Sequence, residues 1–421
     1  MSEVNKSMLR KIHYLATLAM MLFPFLPLRV SNFVMIIWVA LSVVLFISEG
    51  FKLDRKKIGM ACVFGCLTVF YALDLLRTDD LASGKFILEK SSGLLAIPLA
   101  MALMPYTWTR KEIQYIFDSF TVGALTLALW ANIVFWMNGP APEFAETISS
   151  YNYRMTFSKT TNVHPTYAAI FFLFGTLIQV HQLIKPAFEE VRTIRIARIV
   201  ISHLLVFFAL FAAARTPLIA FFIVLGILWI KTKGWKRTIV PVAITTAALI
   251  IAFTFITPLK QRYIQVVETE VALPQGDFHN SVNVRYGIFR CSLEILEENW
   301  LIGTSAGDLQ NNMNTCFEQF DTTVFRTGNY NTHNQYLDLW LSLGIIGLFA
   351  LFLIYWIPFS NALRSGSDLY LAFIIFFSIC CLTENVLARQ WGVEFFSFFN
   401  ALFFFCYQQQ EMGRTPYVQA T

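Results

Sequence analysis

The 421-residue chain is 56% hydrophobic and 14% charged, against about 25% charge in soluble globular domains, which excludes a water-soluble globule. Its net charge of +5 matters less than where the basic residues fall, and no feature addresses nucleic acid. Apolar stretches of roughly 17–25 residues, long enough to cross about 30 Å of hydrocarbon, recur along the whole length, so the expected fold is an all-α polytopic membrane protein embedded in membrane lipids.

The first apolar run, near Tyr14–Leu28, lacks a small-residue cleavage site and is followed at once by another; it reads as a retained helix. Twelve spans are expected, at 13–28, 32–49, 58–76, 86–104, 113–138, 164–183, 199–213, 216–231, 238–257, 335–358, 369–383 and 391–407. They divide into a nine-span bundle over 1–257, a large polar loop over 258–334, three C-terminal spans over 335–407 and a tail over 408–421. Lys and Arg near span ends favour the cytoplasm. With the N-terminus inside, the clusters at Lys52/Arg55/Lys56/Lys57, Lys185/Arg192/Arg195/Arg198 and Lys231/Lys233/Lys236/Arg237 all fall on that side. The moderate loop 139–163 and the long loop 258–334 then face outward. Mid-span Asp74, Glu89, Lys90 and Asp118 are costly in lipid and are expected to pair within the bundle.

Within the long loop, residues 283–300 read as an amphipathic helix. Val284, Ile288, Cys291 and Ile295 make one apolar stripe, and Phe289, Leu293, Leu296 and Trp300 a second, with Arg285 wedged between. Arg290 lies on the polar face, placed to pair with Glu294 at i,i+4. Cys291 and Cys316 share this loop and are candidates for a disulfide in an oxidising compartment. No Cys/His spacing resembles a metal site.

Three outward helix starts look alike: His164-Pro165, Arg215-Thr216-Pro217 and Asn331-Thr332-His333-Asn334. Pro inside a helix start and Thr or Asn as a cap are favoured, and the N–H groups and partial positive charge of such a start suit an anion. With Arg215 and Arg285 added, the constellation suits a diphosphate, since an Arg fork binds two oxygens at once. His333 is the candidate general base, taking a proton from a sugar hydroxyl. His164, Asn334, Glu384 and Arg389 are further candidates for substrate contact, against plainer roles: His164 as a helix cap, and Glu384 paired with Arg389.

At these residues the chain resembles the O-antigen ligase and polymerase superfamily. The resemblance lies in Ala-Arg-Thr-Pro at 214–217, Val-Arg-Tyr-Gly-Ile-Phe at 284–289, Trp300-Leu-Ile-Gly-Thr-Ser-Ala-Gly307, Thr332-His333-Asn334-Gln-Tyr-Leu, Gly344-Ile-Ile-Gly347 and Glu384-Asn385 through Gly392, over roughly residues 165–400. It implies a twelve-span glycosyltransferase of the C fold type in the bacterial inner membrane, with a large periplasmic loop and neither metal nor cofactor. Such ligases move a glycan from undecaprenyl diphosphate to a sugar of lipid A-core with inversion. By that pattern Arg215 and Arg285 bind the diphosphate and His333 activates the acceptor hydroxyl. Ser305 stands where family members often carry another Gly, so the turn after Trp300 is expected to differ. The alternatives are an O-antigen polymerase or protein O-oligosaccharyltransferase of the same superfamily, sharing donor and chemistry, and, from another class, a twelve-span polysaccharide transporter. A transporter predicts two related halves with polar residues near the midplane; no halves are seen, and the strongest polar constellation lies on the outer face. Asp79-Asp80 would be the ligands of a metal-dependent transferase, but no second acidic cluster accompanies them.

Overall fold

A computed structural model describes residues 3–139, 149–233, 271–276, 280–327 and 330–407. Among them the regular structure is helical: α1 Glu3–Met20, α2 Leu28–Ser48, α3 Arg55–Phe64, α4 Cys66–Asp74, α5 Leu81–Ser91, α6 Gly93–Leu103, α7 Arg110–Asn138, α8 Ser149–Thr161, α9 Pro165–Ile184, α10 Arg192–Phe211, α11 Arg215–Lys233, α12 Ser281–Asn299, α13 Leu309–Phe317, α14 Val324–Thr327, α15 Gln335–Ser365, α16 Asp368–Cys380 and α17 Gln390–Leu402. An isolated bridge joins Gly276 to Thr322.

Among the described residues six stretches are long and apolar enough to cross a membrane: α2, the pair α5–α6, α7, α9, α10 and α15. The expected span 58–76 is broken into α3 and α4, bent by 56° at Gly65, and would make a seventh. A side chain there has no room, because a Cβ on Gly65 would lie 2.7 Å from the Leu95 backbone. The span expected at 369–383 appears as the 13-residue α16, and the one at 238–257, like the tail 408–421, lies outside the described residues.

Burial separates the centre from the lipid side. α9 and α17 are buried almost throughout. Phe171, Phe174, Phe395 and Phe399 of these two helices interlock with Phe120 of α7 and Phe373 of α16 at centroid distances near 5–6 Å, the offset and edge-on spacing that aromatic rings prefer. Peripheral α2 instead exposes Phe33, Ile36, Val44 and Ile47, as lipid contact requires. The intramembrane charges follow two patterns. Asp74 pairs with Arg77 at 2.5 Å, and Asp118 with the buried Arg198 at 2.6 Å. Glu89 and Lys90 make no such pair among the described residues, contrary to expectation.

The long loop packs a small core of its own, Val284, Ile288, Cys291, Leu296, Met313, Phe317 and Phe325, and the disulfide Cys291–Cys316 ties α12 to α13. The first expected stripe of α12 forms this core. The second does not pack: Phe289, Leu293 and Trp300 are about half exposed, and of that stripe only Leu296 is buried. Nor does Arg290 pair with Glu294.

The Gly-Thr-Ser-Ala-Gly turn fastens this loop to the bundle. Thr304 N–H donates to Leu341 O and Ser305 N–H to Ser342 O, while Ile345 N–H reaches back to Leu301 O. Arg77 donates to Gly303 O at 3.1 Å and Ser342 O at 2.8 Å, and Asp74 accepts from Ala306 N–H at 2.6 Å. The partners on α15 come free because the helix breaks at Gly344, φ 65° and ψ −154°. A Cβ on Gly344 would lie 2.2 Å from Leu301 O. Gly344→Ala is therefore expected to cost at least about 1–3 kcal/mol, read as a lower melting temperature of the detergent-solubilised protein. Ser305 adopts φ 77°, a left-handed conformation that glycine would take at less cost; its hydroxyl donates to Asp308 at 2.7 Å. Asp79 and Asp80 have plain roles here: their N–H groups donate to Asp308, and the Asp80 side chain caps α5.

Candidate active site

A cavity of about 430 Å³ lies where α8, α9, α11 and α12 meet the segments before α15 and after α16. Arg154, His164, Arg215, Arg285, His333 and Glu384 line it. Five of these were candidates from sequence. Arg154 was not, because 139–163 reads as a loop, whereas Ser149–Thr161 is helical and carries Arg154 to Ala212 O just before α11.

His333 is held from both sides. Thr332 Oγ1 lies 2.9 Å from Asn385 Nδ2, which donates to it and also to Asp338 at 2.7 Å. Gln335 N–H donates to Cys381 O, and the Gln335 side chain accepts from Leu387 N–H at 2.7 Å. The His333 N–H closes on Asn331 Oδ1 at 3.0 Å, an Asx turn, and the residue sits at φ 47°. Left-handed backbone at a non-glycine residue costs of order 1–3 kcal/mol and persists where its surroundings enforce it, typically at functional sites. Here the Thr332–Asn385–Asp338 network and the capped start of α15 do so.

Glu384 sits between His333 and Arg285. Its carboxylate is 3.6 Å from His333 Nδ1 and 3.8 Å from Arg285 Nη2. Both are ion-pair distances too long for hydrogen bonds, and the buried Nδ1 has no hydrogen-bond partner among the described residues. Burial pushes the Glu384 carboxyl up, but His333, His164 and Arg285 outweigh it and hold the group below the usual carboxylate range. The expected Glu384–Arg389 pair is not formed. Arg389 lines a different cavity, and Glu384 turns to Arg285 and His333 instead.

Arg285 opens the second turn of α12, one turn after its cap, Asn280. Its side chain is 44% exposed, so it stands at the mouth of the cavity rather than wedged between packed stripes. His164 caps α9, its Nδ1 accepting from Thr166 N–H at 3.3 Å, and also lines the cavity. Burial, reinforced by the charge of Arg154, lowers its pKa to about 4, so the ring is neutral near pH 7. Asn334 is a cap and not a cavity residue: its side chain accepts from Tyr336 and Leu337 N–H. The helix starts therefore differ from expectation. The first N–H groups of α9 and α15 are taken by their own caps, and the polarity of the cavity comes mainly from side chains.

Residues 200–353 match the family model for O-antigen ligase. Over that segment the chain is similar to the O-antigen ligase and polymerase superfamily. The matched segment carries Arg215, Arg285 and His333, while His164 and Glu384 come from outside it. A Haemophilus influenzae protein described as an uncharacterized protein is similar at 24% identity over 336 residues, 78% of each chain. Members of the O-antigen ligase family are glycosyltransferase-like enzymes.

Proposed function

We propose that the protein is an O-antigen ligase-type glycosyltransferase of the bacterial inner membrane. In this reading it transfers a glycan from undecaprenyl diphosphate to a sugar of lipid A-core, at a site facing the periplasm. The observation that carries the reading is the convergence of Arg154, Arg215 and Arg285 with His333 and Glu384 on one cavity. Guanidinium groups at such a site suit the negative charges of a diphosphate diester. The disulfide Cys291–Cys316 in the loop that bears Arg285 fits an oxidising compartment.

The proposed reaction is a direct displacement. With Nδ1–H directed at Glu384, Nε2 of His333 is the free acceptor nitrogen. It takes the proton of the acceptor hydroxyl as that oxygen forms the new bond to the anomeric carbon. The bond from that carbon to the diphosphate oxygen breaks on the opposite face, so the anomeric centre inverts. Undecaprenyl diphosphate leaves with the electron pair, its developing charge met by the arginines, and the imidazolium returns its proton to water.

The test is reconstitution. Purified protein, an undecaprenyl-diphosphate-linked glycan and lipid A-core should together give glycosylated lipid A-core, and omission of either substrate should abolish product. A donor chain lengthened without any change to lipid A-core would overturn ligation in favour of polymerisation. Arg290 is exposed and does not line the cavity, so Arg290→Ala is expected to keep its transfer rate within about twofold, consistent with surface changes being near neutral; a dead Arg290→Ala would contradict this assignment of faces on α12.

A further inference from the structure

A second cavity, of about 370 Å³, lies on the other side of the segment that carries His333. Successive residues divide between the two: Asn331, Thr332 and Asn385 line the second cavity, and Tyr330, His333 and Glu384 the first. The catalytic loop is thus a partition with a cavity on each face. Lys90 and Arg389 both line the second cavity, and neither forms an ion pair with a carboxylate among the described residues. Lys90 lies within the membrane-crossing stretch Leu81–Leu103, where a charge without a counter-ion is costly and its presence points to function. Its Nζ rests 3.7 Å from the centre of the Phe86 ring, a contact that steadies a cation without neutralising it. Among the described residues the one carboxylate in the wall, Asp338, is committed to Thr332 and Asn385.

Two cations in one cavity, together with amide groups and the apolar Tyr71 and Met313, make a surface for an anionic sugar carried on a lipid. We propose that this cavity is the acceptor subsite, holding a phosphate or carboxylate of the acceptor glycan at Lys90 and Arg389 so that a neighbouring hydroxyl reaches His333 across the partition. This rests on the transfer reaction proposed above and adds where the second substrate sits and which charge it carries.

The experiment measures binding of two probes to the detergent-solubilised full chain: undecaprenyl diphosphate, and a phosphorylated core oligosaccharide before and after enzymatic dephosphorylation. In Lys90→Gln/Arg389→Gln the oligosaccharide should bind at least tenfold more weakly, while undecaprenyl diphosphate binds within twofold of wild type, which also reports a folded protein. Arg389→Gln alone, at an exposed position, should show part of the loss. If dephosphorylation weakens binding to wild type as much as the double substitution does, the recognised anion is phosphate; if it does not while the variant still binds weakly, the anion is a carboxylate. Both support the subsite. Equal oligosaccharide binding by wild type and both variants would overturn it. Loss of undecaprenyl diphosphate binding in Lys90→Gln/Arg389→Gln, with retention in Arg215→Ala/Arg285→Ala, would place the donor here and overturn the proposed function as well.

Discussion

Replacing His333 with alanine is expected to reduce transfer by about 10²–10⁴-fold, the contribution typical of a positioned general base, with undecaprenyl diphosphate binding retained. The basis is the arrangement around the ring. The backbone at φ 47° is enforced by the Asn385 network, and the buried Nδ1 is directed at Glu384. Removing the imidazole leaves the arginines in place, so binding and chemistry separate. Single-turnover kinetics with a preformed donor complex reads the difference. Equal loss of donor affinity and of rate would assign His333 to diphosphate binding instead.

Arg285→Ala is the second large effect. Its side chain is the cation that faces Glu384 at 3.8 Å, and without it the carboxylate confronts the diphosphate uncompensated. Loss of one donor to developing negative charge costs about 10²–10³ in rate, and donor affinity should fall as well, unlike in His333→Ala. Arg285→Lys should recover only part of the activity, because a lysine supplies charge but not the planar fork. Full activity in Arg285→Lys would show that charge alone is needed at this position.

The residues that do the proposed chemistry were legible because each breaks a local rule. Arg215 interrupts an apolar run, His333 precedes a long span, and Arg285 interrupts the apolar faces of its helix. Their convergence on one cavity is what the fold adds. Arg154 was hidden because Ser149–Thr161 has neither apolar periodicity nor a cap that marks it as a helix; its placement comes from packing of that helix against α7 and α9 and from its contact with Ala212 O. The break between α3 and α4 was equally hidden, since Gly65 within an apolar run reads as an ordinary span residue until the approach of Leu95 is seen. Asn334 was ambiguous for a different reason. A sequence shows that Asn is a good cap and a good ligand, and the two N–H groups whose hydrogen bonds it accepts establish the cap. Lys90 is the reverse case: the cost of a charge in a span predicted an ion pair, and the structure places it in a cavity instead.

The most direct measurement of the central claim is the lipopolysaccharide profile of a deletion strain complemented with wild type or with His333→Ala. Loss of the polymer ladder, accumulation of undecaprenyl-linked polymer, and restoration by wild type but not by His333→Ala are the predicted results. A normal ladder in the deletion strain would contradict O-antigen ligation and turn the search toward another exported glycan.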